Sequence, residues 1–276
     1  MLPEIVGKTM SALCGCLEAR LPGVVESVYV YGSAALGAYI EGSSDIDFIA
    51  VTGRSLSSWE VEAVADVHRE MERLFPDADI MGAYIVSEQV GKQPEKNDPV
   101  LTYFNKTLHI DGTGADLNPI TWWVLKRHGI CVYGRKASFA YEISAGELAK
   151  YVIGNMNSYW AGWIDRLQQP DVSDVLQSSA TAKRLDQAVE WCVLGMLRQY
   201  YTINEGDVTS KIGAGTYGLA KLPEKWHPLI REAVSIKLQK PEREYESQLL
   251  RHKDLVDLLQ EIVTASNEQY KAKYIT

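Results

Sequence analysis

Two short stretches constrain this chain more than any other. They are Val28-Tyr29-Val30-Tyr31-Gly32-Ser33 and, after the mostly small residues 34–44, Asp45-Ile46-Asp47-Phe48-Ile49-Ala50-Val51. Each is an apolar run of strand length. The first runs into Gly-Ser, and the second opens on aspartates spaced i, i+2. Residues two apart in a strand point to the same face. Asp45 and Asp47 therefore aim their carboxylates at one point while Ile46 turns away. Carboxylates that close repel each other unless a cation lies between them. Oxygen ligands suit a hard ion, and Mg²⁺ commonly takes one or two carboxylates plus substrate phosphates. Gly32 lets the backbone turn sharply and approach a ligand. The Ser33 hydroxyl and neighbouring N–H groups can then hold phosphate oxygens. The blander alternative, solvated residues at a strand entry, fits poorly with Ile46, Phe48, Ile49 and Val51, which make the strand too apolar for a surface edge.

At 276 residues the chain has room for one large domain or two small ones. An apolar content of 46% is enough for a real core. The net charge of −8, from 28 basic against 36 acidic residues, argues against a nucleic-acid partner, which would call for Lys/Arg patches. It suits a cationic small molecule better. Cys14 and Cys16 form C-x-C, with Cys131 and Cys192 elsewhere, so neither a zinc site nor a disulfide framework is expected. No apolar run reaches signal-peptide or membrane-spanning length. A soluble, monomeric, cytoplasmic protein is the expectation.

Along the chain, Ile5, Val6, Met10, Leu13, Leu17 and Leu21 recur at helical spacing and stop at Pro22-Gly23. A strand over 24–31 leads into the Gly-Ser turn. Residues 34–39 suit a short helix, and 46–51 a second strand. Ser57 with Glu60 forms a capping box for a helix reaching about Phe75. A third strand covers 80–86, followed by a polar loop over 87–99 and a further edge strand within 100–110. Asn118-Pro119 starts a helix running to His128, ended by Gly129. Trp122 and Trp123 are adjacent on it, so only one is expected to face inward. From Ser144, which forms a second capping box with Glu147, the pattern is helical almost throughout. Helices are expected over about 145–163, 180–201, after Ser210, over 223–238, and from Pro241 to the C-terminus. Leu148, Tyr151, Val152, Met156, Tyr159, Trp160 and Trp163 make the first of these rich in aromatics, suited to core packing or to stacking on a substrate ring. The predicted fold is α+β: a mixed sheet backed by helices over 1–136, then an all-α helical bundle over 137–276.

Gly32-Ser33 followed by Asp45-Ile46-Asp47 resembles the signature of the nucleotidyltransferase superfamily, with its DNA polymerase β-like fold. The helical half narrows the resemblance. Asn118-Pro119-Ile120-Thr121-Trp122, the Gly129 to Gly134 segment, and Ser210-Lys211 with Lys221-Leu222-Pro223 resemble the streptomycin/spectinomycin adenylyltransferase type of aminoglycoside nucleotidyltransferases. The likeness spans nearly the whole chain. It implies a nucleotidyltransferase domain joined to a five-helix domain, with the site in the cleft between them.

The resemblance also implies an activity: transfer of AMP from ATP, with Mg²⁺, to a hydroxyl of an aminoglycoside or aminocyclitol, releasing pyrophosphate. Asp45 and Asp47 would be metal ligands. Gly32, Ser33, Ser44 and Lys211 would bind nucleotide, Lys211 reaching the ATP phosphates. A third carboxylate is expected on the third strand, as metal ligand and as base toward the acceptor hydroxyl. Asp77 and Asp79 are the candidates, and Asp79, at the strand start, is preferred. In some relatives the acid aligns with Met81, which shares a strand face with Asp79. Acidic residues of the helical domain would receive the cationic drug. Asp186 and Glu190, one turn apart, are the candidates with Asp165, although solvated helix carboxylates need no such role. Streptomycin-modifying relatives carry tryptophan near Thr107, so spectinomycin is favoured over streptomycin. Two other readings stay open: a nucleotidyltransferase acting on a protein, an RNA end or another small molecule, and an inactive nucleotide-binding regulator.

Overall fold

The computed structural model describes residues 2–94, 99–169, 179–240 and 242–275. Residues 95–98 of the polar loop, and Pro241, the expected start of the last helix, lie outside them. The chain divides into two compact units, Met1–Ile143 and Ser144–Thr276.

The first unit is built on a six-stranded sheet of order β5-β4-β3-β2-β1-β6. The strands are β1 (Val25–Val30), β2 (Ile46–Thr52), β3 (Ile80–Val86), β4 (Val100–Phe104), β5 (Thr107–Gly112) and β6 (Ile130–Gly134). β2 and β3 are parallel, while the other neighbours are antiparallel. Helices α1 (Glu4–Arg20) and α3 (Ser58–Leu74) bury Val6, Met10, Leu13, Leu17, Val64, Val67 and Met71 in one cluster with Val28, Val30, Ile46, Phe48 and Ala50 of the sheet. The alternation of β1 and β2 thus sends one set of side chains into this core. The other set, including Tyr29, Asp45 and Asp47, faces away. The Ser57/Glu60 capping box opens α3 as the sequence predicts, and Arg54 adds an ion pair of 2.7 Å to Glu60.

Several local expectations needed correction. The short helix α2 spans Gly32–Ala35 and includes the Gly-Ser turn itself, rather than starting after it. The segment after residue 100 is two strands, not one. Asn105 and Lys106 adopt φ of 50° and 55°, the positive values that a tight hairpin turn requires. Trp122 and Trp123 on α4 (Pro119–His128) are both buried, at 1% and 7% exposure. Trp122 donates its indole N–H to the Lys92 carbonyl at 3.0 Å. The Arg127 guanidinium covers Trp123, 3.6 Å from the ring centre, so a flanking cation does what a second core face would do.

The sequence reading set the domain boundary at Lys136, whereas the compact units divide after Ile143. Residues 137–143 lie on the first unit: the Ala137 N–H donates to the Tyr29 hydroxyl at 2.6 Å, and the Tyr141 hydroxyl donates to the Trp122 carbonyl at 2.8 Å.

The second unit is helical among its described residues. α5 (Ala145–Asn155) continues through a π-helical turn, Met156–Trp160, into α6 (Ala161–Leu167). α7 (Ser179–Ala188) likewise continues through a π turn, Val189–Val193, into α8 (Leu194–Glu205). α9 (Lys211–Lys221), α10 (His227–Lys237) and α11 (Gln248–Tyr274) follow. α11 begins at the Ser247 cap, whose hydroxyl accepts from Leu250 N–H at 3.3 Å, later than the expected start at Pro241. The core gathers Leu148, Val152, Met156, Val189, Val193, Met196, Leu197, Leu229, Ile230, Leu255, Leu258 and Ile262, all buried. Among the described residues no helix is long and apolar enough to cross a membrane.

Candidate active site

β1 ends where the chain must bend over β2. The Tyr31 N–H donates to the Asp47 carbonyl at 3.0 Å, extending the ladder by one bond. The backbone then enters Gly32 at φ +60°, and a Cβ there would lie 1.8 Å from Asp47 Oδ2. Glycine is required twice over, for the left-handed turn and for the approach of backbone to carboxylate. The next residue, Ser33, has a buried hydroxyl oxygen with no hydrogen-bond partner among the described residues. A buried polar group normally finds a partner, so this hydroxyl is available to a ligand oxygen.

Asp45 and Asp47 are half-buried and alternate with fully buried Ile46 and Phe48. They share the sheet face opposite the α1/α3 core. Ser44 is buried, and its hydroxyl accepts from the Ile40 N–H at 3.1 Å, closing the turn that delivers Asp45. In this position it holds the loop.

The parallel ladder also locates the third-strand acid. Asp47 pairs with Met81, and one step back the Ile46 N–H donates to the Asp79 carbonyl at 2.7 Å. Asp79 therefore stands beside Asp45, at the mouth of the two strands. Although Asp79 is exposed by area, the neighbours that partly desolvate it and the Asp45 charge push its carboxyl above the usual range, with Lys106 opposing.

The sequence reading missed two groups here. Tyr31 is 7% exposed. Burial drives its phenol ionisation well up, and the charges of Asp47, Asp116 and Asp45 add to the effect, opposed by a hydrogen bond with Thr121. Asp116, solvent-exposed by area, still has its carboxyl raised by the neighbours that desolvate it and by Asp45. Its carbonyl accepts from the Thr121 hydroxyl at 2.5 Å, tying it to the first turn of α4. The only sequence signal nearby was the Asn118-Pro119 helix start, which marks the cap but not the acid.

Among the described residues no three His, Cys, Asp or Glu side chains form a metal cage of their own. Two carboxylates on one face, the clearance at Gly32 and the orphan Ser33 hydroxyl fit instead a cation that shares its ligands with a polyphosphate.

In the helical unit Lys211 is the first residue of α9, behind the Ser210 cap. Its ammonium lies 2.8 Å from Glu190 Oε1. Asp186 is engaged elsewhere. It forms ion pairs with Arg243 and, at 2.7 Å, with Arg251, and it shares these arginines with Glu232. Burial would raise its carboxyl, but the hydrogen bonds from Arg243 and Arg251 win and hold it below the usual range. Asp186 and Glu190 thus serve different partners, the π turn beginning between them at Val189. Asp165 is exposed on α6.

Residues 11–88 match the family model of the nucleotidyltransferase domain, and residues 167–263 match that of the aminoglycoside adenylyltransferase C-terminal domain. The chain belongs to the aminoglycoside nucleotidyltransferases. It is a nucleotidyltransferase enzyme. Its fold is similar to the crystal structure of a spectinomycin adenyltransferase from Enterococcus faecialis with ATP and spectinomycin, with a TM-score of 0.64 and 17% identity over 92% of this chain and 98% of that one. At that identity the likeness concerns the fold. No curated protein sequence matches the chain. The nucleotidyltransferase match covers Gly32, Ser33, Asp45, Asp47 and Asp79, and the second match covers Asp186, Glu190 and Lys211. Asp116 lies outside both.

Proposed function

We propose that this nucleotidyltransferase moves AMP from ATP to a hydroxyl of a cationic aminocyclitol, with spectinomycin favoured over streptomycin. The observation that carries the reading is the packing of Gly32 against Asp47, with Asp45 on the same strand face and the Ser33 hydroxyl free beside them. Asp45 and Asp47 would hold Mg²⁺, which when bound neutralises charge on the triphosphate. The Gly32 turn brings backbone to the phosphates, and Ser33 donates to a phosphate oxygen. Lys211 adds a cation at a helix N-terminus, a natural place for phosphate. Asp79, its carboxyl raised above the usual range, accepts the proton of the attacking hydroxyl. The acceptor oxygen bonds to the α-phosphorus, the α–β bridging bond breaks, and pyrophosphate leaves with its electron pair. Support for an aminocyclitol comes from the C-terminal family match and from the acidic balance of the chain.

The test is pyrophosphate release from ATP and Mg²⁺ with spectinomycin, streptomycin and other aminocyclitols. Spectinomycin-dependent release that disappears in Asp47→Ala, with folding unchanged, supports the reading. Wild-type release from Asp47→Ala overturns it. One observation favours a second reading, a nucleotide-binding module without catalysis: Met81 occupies the β3 position paired with Asp47. ATP binding with no release for any acceptor would select that reading.

A further inference from the structure

The hairpin between β4 and β5 turns on Asn105 and Lys106, with φ of 50° and 55°. A two-residue turn of this kind needs positive φ at both positions and favours Asn-Gly. Asparagine suits the first, but the second holds a lysine where glycine would sit without strain. Gln239, with φ of 58°, lies just past the end of α10, where a left-handed residue is ordinary. Lys106 has no such local reason. Backbone strain of this kind collects at functional sites, and the reach of the lysine side chain supplies a reason here.

The Lys106 ammonium crosses to a neighbouring loop and donates to the Pro76 carbonyl at 3.1 Å. Pro76 opens the short turn that leads into β3, closed by the Ala78 N–H donating to the Phe75 carbonyl at 3.1 Å. The turn delivers Asp79, whose carbonyl accepts from the Ile46 N–H beside Asp45. The two carboxylates repel there, and the Lys106 charge opposes that of Asp45 at Asp79. One side chain thus ties down the backbone of the turn and offsets the repulsion at its end. A glycine in its place would relax the hairpin and do neither. Lys106 lies outside both family matches.

We propose that Lys106 is a positioning residue for nucleotidyl transfer: its ammonium holds the Pro76–Asp79 turn to the hairpin and counters the Asp45 charge, so that the Asp79 carboxylate stays at the mouth of β2 and β3. The inference deepens the reading given above and rests on Asp79 as its base. In this role Lys106 touches neither phosphate nor acceptor, so its loss slows the reaction and spares ATP binding.

Pyrophosphate release and thermal melting of the full-length protein at low ionic strength test this. Lys106→Met and Lys106→Gly should each lose about tenfold or more in kcat, with KM for ATP little changed. Lys106→Arg keeps the charge and should keep most of the rate. Lys106→Gly should nonetheless melt about 2–4 °C above Lys106→Met, because glycine accepts the left-handed turn. Activities that follow the melting temperatures would mean a structural role only and overturn the proposal, as would a loss in Lys106→Arg as large as in Lys106→Met. In the Asp79→Asn background Lys106→Met should cost no further activity, and the same loss in both backgrounds overturns it too. A slow Asp79→Asn beside fully active Lys106 variants would remove this inference alone, whereas full rate in Asp79→Asn would remove the base and the inference with it. In a protein that transfers AMP to no acceptor the transfer reading falls and melting decides: Lys106→Met should lower the melting temperature of wild type more than that of Asp79→Asn, and equal shifts overturn the positioning role.

Discussion

Asp47 on β2 is paired across the parallel ladder with Met81 on β3, while Asp79 stands two residues back beside Asp45. A thioether cannot take a proton, so the pairing assigns any β3 base role to Asp79. Asp79→Asn should lower kcat by about 10²–10⁴-fold, the usual size of a general-base contribution. Asp79 is exposed, so folding should change little. Met81→Glu in the Asp79→Asn background would put a carboxylate directly opposite Asp47 and should recover at least about tenfold of the loss. Steady-state pyrophosphate release checks both. Full activity in Asp79→Asn would remove Asp79 from the mechanism.

Gly32→Ala joins a backbone penalty to a direct collision. The αL conformation costs an L-residue roughly 1–2 kcal/mol, and the new methyl would meet the Asp47 carboxylate. Urea denaturation should show a loss of about 1–2 kcal/mol or more. Activity should fall further than stability does, because Asp47 has to move. The comparison is Gly37→Ala: Gly37 also has a positive φ, of +69°, but nothing lies near its missing Cβ. That variant should suffer the backbone cost and keep its activity.

How much of this was legible in the sequence follows from the range of the interactions. The Gly32-Ser33 turn, the shared face of Asp45 and Asp47, and the Ser57/Glu60 and Ser144/Glu147 capping boxes depend on neighbours within a few residues, and local pattern revealed them. The pairing of Asp47 with Met81 needs the register of two strands more than thirty residues apart, which periodicity alone leaves open. Asp116 reaches the site through Tyr31 and Thr121, on two other elements, so no spacing rule could find it. Asp186 and Glu190 looked like a pair because i, i+4 residues share a face in an α-helix, but the π turn and the distant Arg243 and Arg251 give them separate partners.

His68 gives the first unit a pH dependence in the mildly acidic range. It is 1% exposed, stacks on Tyr103 at 3.6 Å and contacts the Tyr84 hydroxyl at 2.9 Å. Burial lowers its pKa from 6.5 to about 3. Between those values the unfolded chain binds a proton that the folded chain refuses. Stability from this group is therefore complete above about pH 6.5 and is lost as pH falls toward 3. The slope is at most about 1.4 kcal/mol per pH unit for one proton. Urea denaturation at pH 7 and pH 5 should show the loss in wild type and a smaller one in His68→Phe. Equal losses in the two proteins would remove His68 as the source.

Arg251 is fully buried on α11, with Glu232 of α10 also fully buried beside it and Asp186 and Arg243 completing the network. Arg251→Met would fill much of the same volume but leave Glu232 and Asp186 to Arg243 alone. Breaking a buried pair on one side costs about 3–5 kcal/mol, because the remaining charge stays buried without its partner. Removing both charges is far cheaper, so Arg251→Met with Glu232→Leu should recover part of the loss. Asp186 would still be held by Arg243, which is 42% exposed and bonds both of its carboxylate oxygens. Urea denaturation of the two variants measures the difference. A double variant as unstable as the single one would mean that the network contributes through packing rather than through charge.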